Sequence, residues 1–167
     1  MATADAGNFV SQANQLSVAG FTSLSNATDV LTTTLNAYGL SADQVTGISN
    51  VLIQTQNLGK TSVDELSASM GKAISTGSAY GVNLENLSTA YVELTKGGIA
   101  TAEATTYLSG LLNELGKSSS NVGKILQEKT GKSFGQLMQD GWSLADVLDV
   151  LMQSVDGNSE ALMQLWS

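Results

Sequence analysis

Three times along this chain a glycine, an apolar residue, a small polar residue and a carboxylate follow one another in the same order. The units are Gly39-Leu40-Ser41-Ala42-Asp43, Gly81-Val82-Asn83-Leu84-Glu85 and Gly141-Trp142-Ser143-Leu144-Ala145-Asp146. A glycine reaches positive φ without steric cost and so ends a helix. The Ser or Asn that follows offers a side-chain oxygen to the orphan N–H groups of the next helix, and a carboxylate in the first turn is favoured by the helix dipole. Each unit therefore predicts a helix, a corner and a second helix. The stretch Gly81 to Ala104 carries the pattern most fully. Leu84, Leu87, Tyr91 and Leu94 share one helical face, Gly97-Gly98 ends that helix, and Thr101 is expected to cap the next. Gly59 followed by Thr61, and Gly116, read as further stops and starts.

The rest of the chain fills in between these corners. A weak helix is expected over Asn8 to Ala19, then one capped by Ser25 or Asn26 and striped by Val30, Leu31, Leu35 and Tyr38. Ser41 to Asn57 follows, opened by a Ser41–Gln44 capping box. The longest helix is expected from Thr61 to Tyr80, with Ala73 and Gly77 small enough for a neighbour to approach closely. Tyr107, Leu108, Leu111, Leu112 and Leu115 are expected inward on the helix that Gly116 stops. Val122 to Thr130 and Ser143 to Val155 complete the helical core, and the stretch Ser133 to Asp140 between them is too short to assign; Asp156-Gly157-Asn158 turns the chain, and Glu160 to Trp166 starts another helix. Strand-like alternation is absent. The expectation is an all-α, compact and irregular bundle of about seven to nine short helices. Its parts are a weakly helical segment 1–25, a core 26–157, and a truncated further helix 158–167 whose apolar end suggests a cut from something longer.

Composition narrows the chemistry. The 167 residues include no Pro, Cys, His or Arg, and all seven basic residues are Lys. Without Cys there is no disulfide scaffold, and without His the usual general base is missing. A net charge of -8 repels phosphate backbones, so direct nucleic-acid binding is not expected. Residues Ala6 to Thr28 carry no charge but are dense in Ser, Asn, Gln and Thr, which does not describe a membrane span.

Motifs that invite a reaction fail on their details. Gly59-Lys60-Thr61, Gly116-Lys117-Ser118 and Gly131-Lys132-Ser133 resemble the end of a phosphate loop. Gln54, Leu111 and Leu126 stand where its first glycine must be, each within a helical pattern. Asp156 to Glu160 alternates oxygen ligands, but Ala161 stands where a calcium loop needs its turn glycine. Asp146 and Asp149 read as a solvated helix face, and Tyr38, Tyr80, Tyr91 and Tyr107 as core aromatics on apolar stripes. Glu93 and Glu103 are the carboxylate pair nearest the best-patterned region. No catalytic residue, cofactor or metal ligand is assigned.

Two runs carry a family resemblance. One goes from Leu35-Asn36-Ala37-Tyr38-Gly39-Leu40 through Gly59-Lys60-Thr61-Ser62-Val63-Asp64-Glu65-Leu66 to Tyr80-Gly81-Val82; the other is Leu94 to Leu108, with Thr95-x-Gly97-Gly98-Ile99-x-Thr101-x-Glu103-Ala104 its most specific part. Over roughly residues 20 to 160 the chain resembles the core region of tailed-phage tail tape measure proteins. It departs from that pattern at Ser109, where a basic residue is expected, and lacks a proline across Lys117 to Ser120. The resemblance implies a non-enzymatic structural segment of a phage or prophage tail protein. Its expected roles are tail assembly, length determination and genome delivery. Its expected place is the tail lumen or tip, after assembly in the host cytoplasm. Other copies of itself and tail tube, tail tip or tail chaperone proteins are the expected partners, with membrane contact restricted to ejection. The rival readings are a membrane-active helical protein acting in DNA ejection and a wall-degrading accessory domain.

Overall fold

Six side chains set the frame of the molecule. Ser23, Ser62, Asn83, Ser120, Ser133 and Ser143 each accept a hydrogen bond from the backbone N–H three residues on, and each thereby opens a helix. The computed structural model describes residues 3–156 and contains ten α-helices there: α1 (Thr3–Ala19), α2 (Leu24–Tyr38), α3 (Val45–Leu58), α4 (Val63–Ser69), α5 (Gly71–Ala79), α6 (Leu84–Lys96), α7 (Thr101–Gly116), α8 (Asn121–Thr130), α9 (Phe134–Gln139) and α10 (Leu144–Ser154). A 3-10 turn, Ala42–Gln44, leads into α3. Among the described residues there is no strand, and the architecture is all-α as expected.

Several boundaries differ from the sequence reading. The expected long helix Thr61 to Tyr80 is two helices, which raises the count from seven to nine to ten. The interruption falls at buried Met70, between Ser69 and Gly71, a Ser/Gly pairing that loosens a helix. The Met70 N–H still bonds to the Leu66 carbonyl at 2.7 Å, and its own carbonyl accepts from Ile74 at 2.9 Å, so the chain unwinds slightly there without turning away. The longest helices are instead α1 and α7, with 17 and 16 residues. α1 begins five residues before Asn8, and α2 is capped by Ser23 rather than Ser25 or Asn26. Tyr107, expected inward, is half exposed and donates to its own helix neighbour Glu103. The further helix expected over residues 158–167 lies outside the described residues.

α2 lies against α1, α3, α4 and α5, and α7 lies against α4, α5, α6, α8 and α9. α6 packs on α3, and α10 on α8 and α9. Between these helices runs one continuous core, from Ala13 and Leu16 of α1 to Val147 and Leu151 of α10, with Tyr91 and Phe134 its largest fully buried side chains. Gly77 lets α5 and α6 come together: a Cβ there would lie 2.9 Å from Leu87 Cδ1. Successive corners also touch. The Tyr38 hydroxyl donates to the Val82 carbonyl at 2.9 Å, the Asn86 side-chain oxygen accepts from the Leu144 N–H at 3.3 Å, and the Tyr80 and Phe134 rings lie 6.1 Å apart.

Candidate functional site

The two runs that carry the family resemblance meet in space. The loop between α3 and α4, Gly59 to Ser62, is seated on the hairpin of α6 and α7, and hydroxyl groups make the joint. The Lys60 N–H donates to Thr95 Oγ1 at 3.1 Å, while the Thr95 hydroxyl donates back along its own helix to the Tyr91 carbonyl at 2.8 Å. Thr61 and Thr101 hydroxyls are 2.7 Å apart, and Thr101 Oγ1 lies 3.4 Å from Glu65 Oε2. A carboxylate only accepts, so the Thr101 proton points to Glu65 and Thr61 donates to Thr101. One layer further in, Thr105 donates to the Thr101 carbonyl at 3.1 Å and accepts from the Tyr91 hydroxyl at 2.5 Å. Burial pushes the Tyr91 phenol up to about 12. Thr95, Thr101, Thr105 and Tyr91 are all buried.

This joint corrects two expectations. Thr61 does not cap α4; Ser62 does, in a capping box with Glu65 whose carboxylate accepts from the Ser62 N–H at 3.0 Å. Thr101 does not cap α7 either. Ala100 holds the cap position without a side-chain bond, and Thr101 is the first helical residue, its hydroxyl drawn inward to Thr61 and Glu65. Gly59 is here for space: its backbone is extended (φ −95°, ψ −179°), but a Cβ would come within 2.8 Å of Thr95 Oγ1. Gly116 is helical and is also here for space, since a Cβ on it would lie 2.1 Å from Tyr80 Cε1. At the remaining stops, Gly39, Gly81, Gly98 and Gly141 have φ of 62°, 80°, 94° and 86°. Ser41 precedes the 3-10 turn, its N–H donating to Gln44 Oε1 at 3.2 Å, while Asn83 and Ser143 cap α6 and α10. Hydrogen bonds from Ser143 hold the Asp146 carboxyl below its ordinary range.

The arrangement binds helices together through hydrogen bonds among hydroxyl, carbonyl and carboxylate groups. Glu93 is 3.7 Å from Lys96 and Glu103 accepts from Tyr107, so each carboxylate is engaged on its own helix. Among the described residues no three acidic side chains gather as a metal cage, and no helix is long and apolar enough to cross a membrane. Shallow open depressions lie elsewhere, along α10 beside Trp142, Asp149 and Gln153. The sequence reading missed the threonine joint. Its signal was Thr101 and Thr105 sharing a face with Leu108 and Leu112 at helical spacing, where a threonine is a half-polar core residue.

A family profile described as phage-related minor tail protein matches residues 1–165. The chain is similar to a "probable tape measure protein" of Clostridium phage phiCD119, at 35% identity over 165 residues. That alignment takes in 95% of this chain and 18% of the relative, so the chain spans less than a fifth of the length of the protein it matches. No solved structure matches.

Proposed function

The chain belongs to the phage-related minor tail protein family, and from that premise we propose that it is a folded assembly module of a tape measure protein. It acts at a tail terminus, or in contacts that build the tail, through tail tube, tail tip or chaperone proteins and other copies of itself. The family places it in the structural class of tail components. Any part it takes in fixing tail length or in genome delivery follows, in this reading, from those contacts and not from its contour length. The observation that supports this is the threonine joint, where residues 35 to 40 positions apart in sequence are hydrogen-bonded. As one continuous helix, 167 residues would span roughly 250 Å, whereas α1, the longest described helix, has 17 residues and covers about 25 Å. A chain that folds back on itself contributes little to a ruler.

An in-frame deletion of residues 26 to 156 in the parent phage tests the reading. Tails of unchanged length, or no tails, are expected. Tails shortened in proportion to the missing helix would make this segment part of the ruler and overturn the proposal.

A further inference from the structure

The corner that ends α1 and the corner that ends α3 carry one signature, Gly20-Phe21-Thr22-Ser23 and Gly59-Lys60-Thr61-Ser62, 39 positions apart. They also make the same joint. A Cβ on either glycine would collide with the hairpin that follows, 2.5 Å from Val63 Cβ for Gly20 and 2.8 Å from Thr95 Oγ1 for Gly59. Each threonine hydroxyl bonds to a side chain that starts the second helix of that hairpin, Asp64 at 2.6 Å and Thr101 at 2.7 Å. Each serine caps the helix it precedes. A second signature marks the opposite corners, Ala37-Tyr38-Gly39-Leu40-Ser41 and Ala79-Tyr80-Gly81-Val82-Asn83. Tyr38 donates to the Val82 carbonyl of the next such corner, and Tyr80 lies against Gly116, where α7 ends. Positions between the corners keep step. Ala13, Leu52 and Tyr91, spaced by 39, are buried on α1, α3 and α6, while Ser11, Asn50 and Thr89, at the same spacing, are exposed there. The tyrosine corners are 42 apart, and the three added residues fall between Ser62 and Tyr80, where the helix is interrupted at Met70. Three residues turn a helix face by roughly 300°, and the interruption absorbs that mismatch.

We propose that α1 to α7 form a tandem array of three copies of one helical-hairpin unit, α1–α2, α3–α5 and α6–α7, and that the joint between units is one interface used twice. The packing has the layout of such an array. α1, α3 and α6 lie side by side in one layer, and α2, α4 with α5, and α7 in the other. In an array each unit contacts its neighbours, and the side-chain hydrogen bonds between these units join residues 35 to 44 positions apart, about one unit. A core packed once has no need of a repeated corner, whereas stacked units require one at every joint. The unit is then the part of the fold that can be removed or added whole. In the tail reading above, on which this consequence alone rests, the separation of the module's two ends is set in steps of one hairpin, about 8–10 Å by ordinary helix spacing.

Three variants of the 167-residue chain, unfolded in urea and followed by far-UV circular dichroism, test the array. Deleting residues 41 to 82 removes the middle unit and joins Leu40 to Asn83, so that α1 meets α6 and Thr22 takes the place of Thr61 against Thr101. This chain should keep the parent's helicity per residue and unfold in one transition, with an m-value lower by about a quarter, as the lost surface requires. Inserting a second copy of residues 41 to 82 after Val82 should raise the m-value by about a quarter. Deleting residues 41 to 62 takes out fewer residues but half a unit, and should leave no cooperative transition. A duplicated chain with the parent's m-value would mean that the added unit does not stack, and would overturn the array. So would a half-unit deletion that unfolds as cooperatively as the whole-unit one. Should the two-unit chain fail to fold because its core is too small, the duplication, which removes nothing, decides alone. None of these measurements needs a tail, so the in-frame deletion in the phage still decides the tail role separately.

Discussion

Gly116 and Gly39 read alike in sequence and serve different ends. At Gly39 a Cβ would meet open space, and the residue is glycine because φ is 62°. At Gly116, the last residue of α7, the backbone is helical and alanine would improve helix propensity by about 1 kcal/mol. Against that, the new methyl would lie 2.1 Å and 2.2 Å from Tyr80 Cε1 and Cζ. The ring also packs against Phe134, their centroids 6.1 Å apart. Overpacking of this kind typically costs 1–3 kcal/mol and outweighs the propensity gain. Gly116→Ala should therefore lower the urea midpoint. A raised midpoint would mean that Tyr80 has room to swing aside and that Gly116 is a helix stop after all.

At the scale of helices and loops, the corners were legible in the sequence because their chemistry is local: a left-handed glycine, then a capping oxygen within four residues. The choice between neighbouring caps was not. Thr61 and Ser62 each have a carboxylate three residues on, Asp64 and Glu65, so both boxes look sound on paper. Packing decides between them, since Thr61 is drawn to Thr101 while Asp64 is taken up by Thr22 and Asn26 of the α1–α2 corner. The same limit hid the joint itself, because nothing local says that the hydroxyl of Thr101 points inward. Thr101→Val keeps the shape and removes the bonds to Thr61 and Glu65. It should cost about 1–3 kcal/mol, the penalty for leaving a partly buried polar partner unmet. An unchanged urea midpoint would show that the joint adds nothing to stability. Asp64 adds a pH effect. Its two hydrogen bonds, Thr22 first, hold its carboxyl below the ordinary value of 3.8 in the folded chain. Its contribution is then present above the ordinary carboxylate range and is lost as pH falls through the lower, folded value. Asp64→Asn should lose less stability than the parent between about pH 5 and 3, with Asp146 keeping part of the acid slope. Parallel curves for the two proteins would dismiss the tie between α4 and the α1–α2 corner.

Across the whole molecule, the question is whether helices this short unfold together. α8, α9 and α10 reach the rest of the fold chiefly through α7, with Asn86 to Leu144 and Tyr80 to Phe134 as side ties, and such an end can open first. Against this, α7 is shared. Its Leu108, Leu112 and Leu115 belong to the same buried cluster as Leu66 and Ile74 on one side and Leu126, Phe134 and Leu137 on the other. Opening α8–α10 alone would expose the apolar side chains that line their contact with α7, and a fully buried Leu or Phe is worth about 1.5–3 kcal/mol. Several such side chains outweigh what a short helix gains by fraying. Unfolding in urea should therefore be a single transition, as for most domains of this size. Trp142, half-buried at the α9–α10 corner, reports on that end. With Trp166→Phe removing the second indole, the fluorescence midpoint should coincide with the midpoint from far-UV circular dichroism. A fluorescence midpoint at lower urea would separate α8–α10 from the bundle, and the module would be two folding units joined at α7.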